Sequence, residues 1–159
     1  MRFVHEMRYA ATVDEVAAML ADPAFREEVC AHQQVLDSSV SVTGEGDTLT
    51  VVVEQVQEAR GIPSYAQKFI GDRIAITQRE TWRSATSADL DIVVPGKPAR
   101  MTGTLTLLAD GDETVETLAG ELKVSVPLIG GRIEELMGDV VRLALDAEYA
   151  VGQRWLAGD

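Results

Sequence analysis

The segment after Pro127 constrains this chain more than any other. From there onward apolar residues recur at the period of an α-helix, with Gly130-Gly131 near the start and Gly158 as a terminator. At ~100° per residue, Ile133, Leu136, Met137, Val140, Leu143, Ala144, Ala147 and Val151 fall in one arc, and Glu135, Asp139, Arg142, Asp146 and Gln153 lie opposite. A long helix with one apolar side needs a broad apolar surface to cover that side, and the residues before Pro127 read as a sheet able to supply it.

In residues 2 to 10, Phe3, His5, Met7 and Tyr9 share one face while Arg2, Glu6 and Arg8 take the other, the period-two pattern of a half-buried strand. Thr12 with Glu15 forms a capping-box signature ahead of Val16, Met19 and Leu20, and Asp22-Pro23 opens a second short helix with Phe25, Val29 and Cys30 on its apolar side. Alternation then resumes in two strands, Leu36 to Thr43 and Thr48 to Val56, around the turn cluster Gly44-Glu45-Gly46-Asp47. Residues 57 to 71, with Gly61, Pro63 and Gly71, read as a longer connection with one helical turn at Tyr65 to Phe69. Further strands follow at Arg73 to Arg83, Ala88 to Val94, Arg100 to Leu108 and Thr114 to Val126. The expected architecture is α+β: a seven-stranded antiparallel sheet, two short helices between strands one and two, and a long C-terminal helix, in one domain over 1–159.

Composition narrows the function classes. A formal net charge of -12, with Lys and Arg scattered, argues against nucleic acid and anionic membrane surfaces as partners. The single cysteine, Cys30, excludes an intrachain disulfide and a multi-cysteine metal site, and it fits a reducing compartment. Met1 to Glu6 lacks a secretory leader pattern and no run is long and apolar enough to span a bilayer, so the expected location is cytoplasmic, with no integral membrane association. A homodimer would be unremarkable for such a chain.

The element order resembles the START-like helix-grip superfamily, also called SRPBCC, and the resemblance spans the whole chain. Within it the chain resembles an uncharacterised bacterial family, through Ile62-Pro63 with Phe69-Ile70-Gly71 before a strand ending Glu80-Thr81-Trp82. It does so more specifically through Val126-Pro127-Leu128-Ile129-Gly130-Gly131-Arg132-Ile133-Glu134 leading to Trp155-Leu156. The resemblance implies a curved sheet gripping the last helix, with a cavity between them for an apolar small molecule; the superfamily includes lipid transfer proteins, plant hormone receptors and polyketide cyclases. It implies no cofactor.

Candidate residues follow from the faces. On the helix, small Ala144 and Ala147 flanked by Met137 and Val140 either open a space or let helix and sheet approach closely. His5, between Phe3 and Met7, should point inward, where a lone histidine is more often a hydrogen-bonded core residue than a ligand or acid–base group. Gln78 and Glu80 share a strand face with Ile74, Ile76 and Trp82, which places an amide and a carboxylate among apolar groups unless a bulge or an arginine partner intervenes. Phe69 lies in the connection expected to flank the entrance.

Gly130-Gly131 lacks the rest of any phosphate-binding fingerprint, Ser64 lacks a nucleophile elbow, two distant histidines make a poor metal site, and Glu27-Glu28 and Glu134-Glu135 read as solvated helix surface. The first functional expectation is therefore noncatalytic binding or carriage of an apolar or amphipathic molecule, lipid-like or polyketide-like. The alternatives are a cyclase or hydrolase-like enzyme using His5 and Glu80, and a protein-interaction module docking through its acidic surface or through Ile62 and Phe69.

Overall fold

Alternating segments become strands and capped segments become helices much as their chemistry dictates. The computed structural model describes residues 1–159, Gly46 by its backbone alone. Its elements are β1 (Arg2–Tyr9), α1 (Val13–Leu20), α2 (Pro23–His32), β2 (Asp37–Thr43), β3 (Thr50–Glu58), α3 (Ser64–Ile70), β4 (Arg73–Ser84), β5 (Ser87–Val93), β6 (Ala99–Asp110), β7 (Glu113–Val124) and α4 (Gly130–Leu156). The Thr12 hydroxyl accepts from the Glu15 N–H while the Glu15 carboxylate reaches back to the Thr12 N–H, closing the capping box of α1. Asp22 accepts from the Ala24 N–H ahead of Pro23 at the start of α2. Caps of this kind contribute about 1 kcal/mol each to short helices that would not persist alone.

The seven strands form one antiparallel sheet in the order β1-β7-β6-β5-β4-β3-β2. Strands two to seven are thus a meander, and β1 joins it beside the last strand. The connection through α1 and α2 carries the chain from one edge of the sheet to the other, and α4 lies against α2, β7, β1 and α1.

Register defines the rows of the inner face. One row runs Val42, Val51, Glu80, Leu90, Gly103, Gly120, Phe3, and the next runs Val40, Val53, Gln78, Ile92, Met101, Leu122. Gly103 and Gly120 face each other, and a Cβ on either would run into a carbonyl of the neighbouring strand. Their lack of side chains lets β6 and β7 close together between Leu90 and Phe3.

The helix α4 presents a face rotated by roughly 90°, at ~100° per residue, from the arc that apolar residues alone define. Its buried positions are Gly130, Ile133, Glu134, Met137, Gly138, Leu145, Glu148, Val151 and Gly152, whereas Leu143 is 70% exposed. The reason is specific pairing by polar and small residues. Glu134, expected in solvent, is buried and accepts from the Val124 N–H at 3.0 Å, which holds its carboxyl below the usual carboxylate range, helped by the Met1 ammonium at 3.0 Å. Gly152 lets the ring of Tyr9 lie directly against the helix.

The connection between β3 and β4 folds more fully than one turn: α3 buries Ala66 and Ile70. The Arg132 guanidinium, at the start of α4, stands 4.0 Å from the centroid of the Tyr65 ring and ties this connection to the long helix.

Candidate functional site

Sheet and helix do not meet everywhere. Between them lies a half-enclosed cavity of about 80 Å³. Its far wall comes from β5, β6 and β7, with Ile92, Met101, Leu118 and Leu122 pointing inward; its roof is α4, with Met137, Val140, Val141, Ala144 and Leu145. These are apolar groups with no hydrogen-bonding demand, so the space favours apolar matter over water wherever it is narrow.

The near wall is different. Here β3 contributes Gln55 and Gln57, β4 contributes Gln78, and Gln33 enters from the end of α2. The Gln57 side chain donates to Gln55 Oε1 at 3.2 Å, and Gln78 donates to Glu80 Oε2 at 3.0 Å. Gln33 makes a longer contact, 3.4 Å, to the Ala144 carbonyl.

At the inner end lies a buried charge cluster. Arg26, 4% exposed, grips Glu80, 0% exposed, with both terminal nitrogens: Nη1 to Oε2 at 2.7 Å and Nη2 to Oε1 at 2.9 Å. Its Nε donates to the Leu20 carbonyl at 2.9 Å. Burial by itself would lower the arginine's pKa, but the surrounding carboxylates, Glu80 foremost, reverse that and raise it.

Two further buried carboxyls, Glu116 on β7 and Glu148 on α4, meet beside this pair. Two carboxylates attract each other only if one keeps a proton. Burial pushes Glu116 well above the usual carboxylate range, the charge of Glu148 adds to the effect, and Glu116 Oε2 finds no hydrogen-bond partner among the described residues. Glu148 is also raised, by burial first, with Arg26 pulling the other way. The phenol of Tyr9 is raised by burial and by the same two carboxyls. Glu148 and Arg26 both line the cavity; Glu80 and Glu116 stand behind it.

Of the residues expected from sequence, Gln78, Met137, Val140 and Ala144 line one cavity. Glu80 faces the same interior but is sealed behind Arg26, the arginine partner that the sequence left open. Trp82 is buried further along β4, with an indole N–H lacking an acceptor among the described residues. Phe69 is half-buried on α3 with the Lys97 ammonium 5.9 Å from its ring centroid, and Ala147 is half-buried beside the cavity roof without lining it.

His5 does lie on the inner face, half-buried, with Nε2 3.7 Å from Asp146 Oδ1, yet it is not in the cavity wall. Register sets it four strands from Glu80, roughly 19 Å along the sheet, so the two do not form an acid–base pair. Among the described residues no group of three or more His, Cys, Asp or Glu is arranged to hold a metal ion.

Sequence reasoning missed Arg26, Gln33, Gln55, Gln57, Glu116 and Glu148. Gln55 and Gln57 continue the face of Val51 and Val53, which was a usable signal, but Val52 and Val56 make the opposite face look equally apolar.

A curved antiparallel sheet closed over by a long C-terminal helix, with two short helices between the first two strands, is a helix-grip fold. The chain belongs to the family described as a protein of unknown function, DUF2505, whose model matches residues 4–156. It is 21% identical over 123 residues to the uncharacterised protein Rv0481c of Mycobacterium tuberculosis, covering 74% of this chain and 71% of that one. Among solved structures it resembles TTHA0849 from Thermus thermophilus, with a TM-score of 0.69 at 15% identity over 99% of this chain and 98% of that one. It also resembles a START superfamily protein from Mycobacterium smegmatis, with a TM-score of 0.62 at 10% identity over 94% of each chain. At these identities the likeness is one of fold.

Proposed function

We propose that the protein binds a compact amphipathic small molecule between the sheet and α4, as a carrier or receptor rather than a catalyst. The observation that supports this is the lining itself. Apolar side chains from five strands and two helices converge on a space they leave unfilled, and a few amides and a deep polar cluster interrupt them. Ligand sites are usually built in this proportion, apolar area for affinity and a few polar groups for orientation.

The driving force is desolvation. Each Å² of apolar ligand surface removed from water is worth ~25 cal/mol, so a ligand burying on the order of 200 Å² gains roughly 5 kcal/mol before entropy losses. In this reading α3 and the residues around it serve as the entrance, with Phe69 at its rim. Gln78, Met137, Val140 and Ala144 contact the ligand.

The test is displacement of the neutral dye N-phenyl-1-naphthylamine, together with native mass spectrometry of protein isolated from its host. Dye fluorescence should rise on binding to the wild-type protein. It should fall to background in Ala144→Trp, which puts an indole into the space. Equal dye binding by a folded Ala144→Trp variant would show that the dye sits elsewhere and remove the basis of the reading.

A further inference from the structure

Resting on that reading, we propose that the cavity selects a neutral, facially amphipathic ligand: an apolar ring body with hydroxyl or carbonyl oxygens spread along one edge. A charged head on an aliphatic tail does not match it.

The first ground is the segregation of the lining. Gln55, Gln57 and Gln78 all come from β3 and β4, with Val53 and Ile76 among them, while the continuation of the same curved sheet on β5 to β7 offers Ile92, Met101, Leu118 and Leu122. Arg100 of β6 alternates with inward Ala99 and Met101, and its exposed guanidinium is held by Asp91 at 2.8 and 2.9 Å. A molecule filling this space therefore meets the strand amides toward β3 and β4 and hydrocarbon toward β5 to β7.

Spacing is the second ground. Gln55 and Gln57 are two residues apart on one strand, about 6.7 Å, and Gln78 pairs in register with Val53, two residues further along. The amides thus mark out roughly 13 Å along the strand direction, too long a run for a single polar head. Their mutual bonds leave Gln57 Oε1 and Gln78 Oε1 as acceptors and the Gln55 amide as a donor. Such a row matches hydroxyls and carbonyls at intervals.

Charge is the third. A carboxylate ligand needs an available cation, and the buried one, Arg26, gives both terminal nitrogens to Glu80 and its Nε to a backbone carbonyl. The carboxyl of Glu148 occupies the same end of the cavity. An anion entering there would lose its hydration without gaining a partner.

Two positional isomers provide the test. In 2,7-dihydroxynaphthalene both hydroxyls lie on one side of the rings, about 7 Å apart, which is the i to i+2 interval of a strand; in 2,6-dihydroxynaphthalene they lie on opposite sides. Competition against N-phenyl-1-naphthylamine should require about fivefold less of the 2,7 isomer, the worth of one net hydrogen bond. 2-Naphthoate, the same ring with a carboxylate, should be the weakest of the three. In the variant Gln55→Leu with Gln57→Leu, dye binding should persist and the isomer ratio should fall to about one.

Equal displacement by the two isomers from the wild-type protein, or displacement led by 2-naphthoate, overturns the proposal and needs no variant to do so. A ratio that survives in the folded double variant overturns it too. Failure of the dye to bind the wild-type protein at all is a different result: it removes the cavity as a binding site, and this inference with it.

Discussion

Arg26 on α2 and Glu80 on β4 are joined by two parallel hydrogen bonds in a place almost no water reaches. The pair ties the short-helix connection to the middle of the sheet, and Gln78 and the Leu20 carbonyl satisfy its remaining valences. Removing one partner strands the other. Glu80→Ala should lower unfolding free energy by about 3–5 kcal/mol, measured by urea denaturation, because it leaves a buried guanidinium short of a counter-charge. Replacing both residues by apolar ones of similar size, Arg26→Met with Glu80→Leu, should cost distinctly less than the single change. A double variant as unstable as Glu80→Ala would show that the loss comes from packing rather than charge.

Gly152 makes a prediction with a sign. Glycine to alanine inside a helix ordinarily gains up to about 1 kcal/mol. Here a Cβ would lie 2.8 Å from Tyr9 Cε1 and 3.0 Å from its hydroxyl oxygen, against a ring packed in the core. Gly152→Ala should therefore destabilise, by about 1–3 kcal/mol. In a Tyr9→Leu background the same change should become neutral or favourable, as a thermal melt would read directly.

The phase of α4 is testable at two leucines. Leu145 is buried, so Leu145→Ala should cost about 2–5 kcal/mol; Leu143 is 70% exposed, so Leu143→Ser should change stability by less than about 0.5 kcal/mol. Equal costs would mean that the helix sits turned toward the arc its apolar residues define.

Stability should also depend on pH through the Glu116 and Glu148 pair, which faces Arg26, Glu80 and Tyr9. A carboxyl with a higher pKa in the folded than in the unfolded chain binds its proton more tightly when folded. Its contribution is fully present below the ordinary value of 4.5 and is lost as pH rises through the raised one. Denaturation midpoints should thus fall as pH rises above 4.5, and Glu116→Gln, neutral at every pH, should flatten the slope. An unchanged slope in that variant would place the titration elsewhere.

Much of the architecture was legible because it rests on periodicity and caps, which are local. Thr12 with Glu15, and Asp22 with Pro23, start helices where their chemistry says they should. Reading Gln78 onto the inner face required only counting by twos from Ile74. The rest depends on partners distant in sequence. Nothing local reveals that Glu134 and Glu148 are inward, because the Val124 N–H and the Arg26 guanidinium that make this tolerable come from other elements. Counting apolar residues alone therefore turned the helix the wrong way at Leu143. His5 shows the reverse problem: its inward face was readable, but the distance across the sheet that separates it from Glu80 follows from strand order.

Strand order also bears on how the molecule is made. Arg2 pairs with Glu121, so β1 has no mate on its inner side of the sheet order until β7 has been synthesised. Its exposed edge must wait through that interval, and closure of the sheet comes late, in the slow regime typical of contacts between distant parts of a chain. A chain that stops short of β7 leaves β1 without the strand it pairs with.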